Sequence, residues 1–294
     1  MVARLNLTKF HEKLGRGLTV ALLGGILLFP LFGMINVPVE LFSTDKRTVI
    51  ELPAFNTRSI DATSNEVTLF NEPLLTITFD DGRESVYSNA LPLLNKYGIK
   101  TTQYLLSGAS SDEQYLSDKQ IDQFHVNGHE IACHSVTHPD LTTLDDKQLT
   151  AELSNCKKAF SKYGPVTNFA SPFGHSNEKT RAFIKNYYIS HRNTDGDITN
   201  GVSDKDVNTR QNLNRYNIIS ASIRNDTTVD QLKQAVDYAM NNNGWLVLTY
   251  HQIEDADNST YGLDVESLDI QLRYLSNSPI RIVTMQQALQ SSGQ

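Results

Sequence analysis

The chain has 294 residues, 39% of them hydrophobic and 20% charged, with a formal net charge of −7. That length holds one large domain or two small ones, and an α/β barrel of this size is commonly a single domain. The acidic balance excludes recruitment of nucleic acid or another polyanion by bulk electrostatics, but is indifferent to a neutral glycan. Two cysteines, Cys133 and Cys156, are too few for a disulfide scaffold. They read as small buried hydrophobes, although an exterior compartment would permit one bond.

Residues 1–16 carry Arg4, Lys9, Lys13 and Arg16. The uncharged run from Leu18 to Val37 that follows is about 20 residues long, enough to cross a hydrocarbon core of ~30 Å as a helix. We therefore expect a single transmembrane helix at 17–37, with the basic segment cytoplasmic and the remainder outside the cell. Pro30, Gly24 and Gly25 weaken such a helix without forbidding it. The alternative is a cleaved secretory signal, but its apolar region is usually ~7–15 residues, and Met34-Ile35-Asn36-Val37-Pro38 offers no small-residue cleavage site. Without the basic segment the chain retains 22 Lys and Arg against 32 Asp and Glu, an excess of 10 acidic groups. Between Phe42 and Val67 the chain is polar and aperiodic, so 38–70 reads as a linker and 71–294 as the folded domain.

Within that domain the apolar run Leu74–Phe79 predicts the first strand and Lys100–Leu106 the next. A helix follows, with Ser117 and Gln120 in capping-box spacing and Gly128 at its carboxyl end, then a strand at Glu130–Cys133. Leu149, Leu153, Cys156 and Phe160 recur at helical spacing before Gly164 and predict a long helix. Thr167–Ala170 reads as a short strand, Glu178–Tyr187 as helix, and Tyr188–Arg192 and Tyr216–Ile219 as strands. Thr228 and Gln231 open another helix, whose buried stripe is Leu232, Val236 and Ala239. The apolar strand Trp245–Tyr250, a helix near Val265–Leu275, a strand at Ile280–Val283 and a helix from Met285 complete the chain. Some seven strands alternating with helices imply α/β layering around a mainly parallel sheet.

The polar residues of interest fall at the carboxyl ends of these strands, on the rim where parallel α/β architectures build sites from several loops. Asp80 and Asp81 follow the first strand, His134 and His138 the third, Pro172 to Gly174 the fourth, and His251 the apolar strand before it. One Asp with two His suits a borderline cation such as zinc, and three protein ligands leave one position open. Pro139 and the β-branched Val136 and Thr137 disfavour a helix across the histidine pair, so an irregular loop is expected to bring both imidazoles together. A second carboxylate and a third histidine then remain for proton transfer.

Thr78-Phe79-Asp80-Asp81-Gly82, His134-Ser135-Val136-Thr137-His138-Pro139, Ser171-Pro172-Phe173-Gly174 and Leu248-Thr249-Tyr250-His251 resemble, in order, motifs of the polysaccharide deacetylase (NodB-homology) family of carbohydrate esterases. The resemblance implies a distorted (β/α) barrel of about seven parallel strands and hydrolysis of N-acetyl groups on amino sugars. It implies Asp81, His134 and His138 as ligands of a divalent metal, foremost Zn2+ with Co2+ or Ni2+ as alternatives. Asp80 would be the general base, His251 the general acid, and the N–H of Phe173 an oxyanion donor. Pro172, Phe173, Gly174 and Tyr250 are expected around the pocket.

Two departures stand out. The family's third motif often carries an Arg two residues before the proline, where this chain has Ala170. Arg192, at another strand end, is the candidate substitute that touches Asp80. An Asp that tunes the acid histidine has no clear equivalent; Asp195 and Asp197 are candidates, although Asp beside Gly196 also suits a turn. Trp245 reads as a packing residue. The leading expectation is a membrane-anchored, exterior deacetylase of a polysaccharide containing N-acetylglucosamine. Peptidoglycan, an ester or a non-sugar amide is the second substrate reading, and a glycan-binding pseudoenzyme is the third.

Overall fold

The computed structural model describes residues 72–254 and 259–291. The expected basic segment, transmembrane helix and linker lie outside the described residues, among which no helix is long and apolar enough to cross a membrane. In chain order the described elements are β1 (Leu74–Phe79), α1 (Leu91–Tyr97), β2 (Thr102–Leu105), α2 (Asp118–Val126), β3 (Glu130–Cys133), α3 (Asp146–Ala159), β4 (Asn168–Ala170), α4 (Glu178–Ile184), β5 (Ser190–Arg192), β6 (Ala221–Ser222), α5 (Val229–Asn241), β7 (Trp245–Tyr250), α6 (Val265–Asn277), β8 (Arg281–Ile282) and α7 (Met285–Ser291).

All the strand pairs are parallel, in the order β5-β4-β3-β2-β1-β7-β6. β7 occupies the whole of one edge of β1, from Leu74 opposite Trp245 to Phe79 opposite Tyr250. The other edge is divided between β8, at Leu74 and Leu75, and β2, at Thr78 and Phe79. The two ends of the sheet meet through single bridges, Arg192 to Ile218 and Gly196 to Ala221. The result is a distorted (β/α) barrel with its weakest seam between β5 and β6.

Period-two alternation assigns the two faces of each strand. Leu74, Tyr104, Ala132, Ala170, Trp245 and Val247 pack inside the barrel, whereas Leu75, Ile77, Phe79, Cys133, Phe169 and Tyr250 join the layer that meets the helices. The same alternation carries Asp80, His134 and Arg192 to the inner side, where all three are buried. Trp245 is a packing residue, fully buried with Nε1 2.9 Å from Thr76 Oγ1.

Several elements differ from expectation. The strand expected at Tyr216–Ile219 lies at Ala221–Ser222, with only Ile218 bridged before it, because this stretch spans the seam rather than running in register. The helix expected to reach Tyr187 ends at Ile184. α1 is an addition to the expected elements; Pro92 sits in its first turn, where a missing N–H removes no helical bond, and Gly98 closes it at φ 68°. The cysteines are a correction. Cys133 and Cys156 are buried, but they form a disulfide with Cα atoms 6.0 Å apart. Cys133 faces outward from β3 and Cys156 lies on the buried stripe of α3, so helix-on-sheet packing juxtaposes two thiols that sequence spacing alone does not pair.

Candidate active site

Four rim segments converge on a cavity of about 450 Å³ lined by Asp80, Asp81, His134, His138, Phe173 and His251, among others. That volume is within the range of small-ligand sites. Asp80 continues β1, its N–H donating to the Tyr250 carbonyl at 2.9 Å, and the residue is 1% exposed. Asp81 then turns at φ 69° and Gly82 at φ 76°, which sends the two carboxylates in different directions.

The histidine segment is the expected irregular loop. Glu152 on α3 accepts the N–H groups of Val136 and Thr137 at 2.7 and 3.1 Å, and Ser135 Oγ accepts the His138 N–H at 3.0 Å. This clamp places the two imidazole centroids 5.0 Å apart. His134 Nδ1 donates to the Ala170 carbonyl at 2.9 Å, which leaves Nε2 as the lone-pair nitrogen aimed at Asp81. Asp81 Oδ1 lies 3.5 Å from that atom and 3.3 Å from His138 Nε2.

Electrostatics suit His134 and Asp81 to a ligand's part. Burial pushes the His134 imidazole down despite Asp80 and Asp81, so its lone pair is available. Burial pushes the Asp81 carboxyl up, but the imidazoles of His138, His134 and His251 outweigh it and hold the group well below the usual carboxylate range. The three donor atoms lie within 4.8 Å of one another, and Asp81 Oδ1 is buried without a conventional hydrogen bond. An anionic oxygen and two imidazole nitrogens around one point fit a divalent cation of the zinc type.

Asp80 takes no part in that set. Arg192 Nη2 donates to its two oxygens at 2.6 and 2.5 Å, reaching across from β5. Ala170 and Arg192 are register partners on adjacent strands, and the small side chain of Ala170 leaves the guanidinium room to cross the barrel over the Tyr104 ring, 4.8 Å from its centroid. Arg192 Nη1 donates to Ser220 Oγ and to the Asn193 carbonyl, each at 3.2 Å.

Other expected site residues separate. Phe173 and Gly174 line the cavity, and Pro172 is buried in their turn. Tyr250 is a correction: strand alternation points it outward, where its ring lies 5.4 Å from Phe79 and its hydroxyl bonds Gln271. His251, one residue on, faces the cavity. Asp195 and Asp197 do not reach it. Asp197 is held by Thr199 and Arg224, Asp195 has its N–H on Asn193 Oδ1, and His251 Nδ1 is buried without a hydrogen-bond partner among the described residues. Ser171, His175, Thr194, Ser222 and Tyr261 also line the cavity. Apart from Ser171, which belongs to the quoted Ser171–Gly174 motif, sequence reasoning missed them because small hydroxyls and loop residues carry no spacing signal.

The site stores backbone strain. Among the described residues five non-glycine positions have positive φ, and Asp81, Ser135, His138 and Phe173 are four of them. Each such position costs of order 1–3 kcal/mol, which the surrounding fold must hold in place. In the Phe173 turn, at φ 60°, the N–H groups of Gly174 and His175 are bonded to the Ser171 and Pro172 carbonyls. A Cβ on Gly174 would meet Thr194 Oγ1 at 2.1 Å, so only glycine fits.

His191 braces this turn from behind, with Nε2 2.8 Å from Ser171 Oγ and Nδ1 donating to the Tyr216 carbonyl at 2.9 Å. Burial, opposed by the Tyr216 carbonyl and reinforced by Arg192 and Arg181, pushes its pKa down to about 4. The unfolded chain, with a histidine near ~6.5, binds this proton first as pH falls. Stability is therefore complete above that value and declines towards pH ~4, by about 3 kcal/mol from this residue. Urea titrations at pH 7 and pH 4.5 are expected to show that decline, with a smaller one in His191→Gln.

The fold and site together define a (β/α) barrel protein with a rim-mounted Asp-His-His cluster that could hold a metal ion, beside a separate buried carboxylate. Residues 70–190, which carry the Asp80-Asp81 and His134–His138 segments, match the model of the polysaccharide deacetylase family. The chain is 31% identical over 112 residues to YxkH of Bacillus subtilis, covering 37% of this chain and 40% of that one. To a peptidoglycan-N-acetylglucosamine deacetylase of Bacillus cereus it is 31% identical over 111 residues, covering 37% and 50%. The matches thus span half or less of these curated relatives. The Xyl-CE4 domain of a multidomain xylanase from the hindgut metagenome of Trinervitermes trinervoides shares the fold, with a TM-score of 0.53 and 22% identity over 76% of this chain and 92% of that one.

Proposed function

We propose that this protein is a metal-dependent hydrolase that removes N-acetyl groups from a polysaccharide containing N-acetylglucosamine at the cell surface. One observation carries the reading: around a single cavity the site separates a ligand set, Asp81, His134 and His138, from a buried carboxylate held by Arg192 and a further histidine, His251. A binding module has no chemical need for the last two groups.

A zinc-type cation, Zn2+ in the first instance with Co2+ or Ni2+ as alternatives, would supply Lewis acidity and lower the pKa of a water there. Asp80 accepts the proton of the attacking water, its carboxylate oriented by Arg192 Nη2. The N–H of Phe173 donates to the acetyl oxygen as negative charge develops on it. His251 delivers a proton to the departing sugar nitrogen, so that the amine leaves neutral rather than as an anion. Peptidoglycan is the second substrate reading, supported by the kinship to a peptidoglycan deacetylase.

The location outside the cytoplasm, in a membrane-anchored chain spanning once at 17–37, is part of the proposal. The Cys133–Cys156 disulfide supports it, because such bonds persist in oxidising compartments. To test the function, the purified full-length protein is stripped with chelator, reloaded with Zn2+ and offered chitin oligosaccharides, peptidoglycan fragments and simple aryl acetates. Metal-dependent acetate release, fastest from the glycans, is the expected result. Release from aryl acetates alone would overturn the sugar assignment, and tight glycan binding with no release would make the protein a pseudoenzyme.

A further inference from the structure

Among the described residues four large hydrophobic side chains are exposed, and two of them, Phe173 (58%) and Tyr261 (46%), stand on the wall of this one cavity. Phe173 lies against the ligand side, its ring centroid 4.5 Å from that of His138. Tyr261 lies against the opposite group, 5.1 Å from His251 with the rings inclined by 38°. Neither ring is on a loose tether. The Phe173 turn is fixed by its φ of 60° and the close approach of Gly174 to Thr194. Tyr261 sits between Thr260, whose carbonyl accepts the Asn225 N–H at 3.0 Å, and the buried Leu263, whose N–H bonds the Gln252 carbonyl. Anchored backbone under an exposed aromatic ring marks a contact surface, since such a ring gains by covering apolar area while its hydroxyl stays wet.

We propose that Tyr261 is the substrate-stacking residue that makes this site prefer an acetamide borne on a pyranose ring over a non-sugar amide or ester. The inference rests on the proposed function for its orientation. If the acetyl oxygen meets the Phe173 N–H and the departing nitrogen meets His251, the sugar carrying that nitrogen lies on the Tyr261 side. A pyranose with equatorial substituents presents a flat C–H face there, while its hydroxyl edges meet polar groups such as Ser222. The chemical class selected is an N-acetylated hexosamine.

The test uses full-length protein with its metal removed by chelation, so that binding is read without turnover, and a β-1,4-linked N-acetylglucosamine tetramer as probe. Calorimetry should show Kd weakened about tenfold in Tyr261→Ala, the size of one lost ring contact, and restored in Tyr261→Phe. In the zinc-loaded protein, Tyr261→Ala should lower kcat/KM for the tetramer by a larger factor than for a small aryl acetate. Because Tyr261 is exposed, thermal melts of the variants should match the parent. An unchanged Kd in Tyr261→Ala, failure of Phe to restore binding, no tetramer binding by the parent, or equal loss of the aryl acetate reaction would each overturn the proposal. Tyr261-dependent binding without acetate release from any substrate would defeat the hydrolase reading while leaving the stacking role intact. Acetate release with Tyr261-independent binding would do the reverse.

Discussion

Asp81→Ala is expected to lose zinc, whereas Asp80→Asn is expected to keep zinc and lose hydrolysis. The two carboxylates are adjacent in sequence, yet positive φ at Asp81 turns it towards His134 and His138 while Asp80 continues into the barrel towards Arg192. Asp81 is the one carboxylate of the three candidate ligands, and its removal leaves only two imidazoles. Weakening should exceed the 10–100-fold typical of losing an outer partner of a ligand, so roughly 100-fold or more is expected. Asp80→Asn keeps the shape and one of the two acceptors for Arg192 but accepts no proton. A fall in kcat of about 10²–10⁴ is expected, the usual worth of a positioned acid or base. Zinc content after dialysis, measured beside acetate release, reads both arms. Loss of zinc from Asp80→Asn would show that the two carboxylates do not divide the work.

Arg192→Ala is expected to destabilise the fold by about 3–5 kcal/mol and to abolish hydrolysis. The guanidinium is fully buried and bound to both Asp80 oxygens, and truncating it leaves a buried carboxylate without its counter-charge. Arg192→Lys should recover only part, because an ammonium lacks the planar guanidinium that holds Asp80 through Nη2 and Ser220 and Asn193 through Nη1. Register suggests a more discriminating partner. Ala170 faces Arg192 on the adjacent strand and on the same inner surface. The double variant Ala170→Arg with Arg192→Ala moves the cation by one strand and should regain part of both stability and rate. Denaturant midpoints together with acetate release check this series. Full activity in Arg192→Ala would remove the residue from the site's machinery.

Much of the site was readable because its residues cluster in short segments. Asp80 and Asp81 close one apolar strand, and His134 and His138 follow another on a stretch where Pro139 and β-branched neighbours forbid a helix. Residues at such spacings stay close whatever the rest of the chain does. The strand ends also made Arg192 a candidate, although its contact with Asp80 spans 112 positions and depends on how β5 registers on β4. The misplacement of Tyr250 has a simple cause: being next to His251 on an extended strand puts a side chain on the opposite face. The cysteine pairing failed for a related reason, since it depends on how α3 lies across the sheet.

Local chemistry and periodicity were sufficient, without coordinates, for the alternation of strands and helices and the rim position of the paired Asp and paired His residues; the choice of Asp81 over Asp80 for the metal came from the family resemblance. The remaining features depend on distance through space. Closure of the barrel brings Arg192 across to Asp80, packing of α3 joins Cys133 to Cys156, and a loop beyond β7 carries Tyr261 back over His251. Contacts of this kind are set by strand register, by face parity and by the paths of loops. Each is a property of the whole chain's packing, and residue type and spacing do not encode it locally.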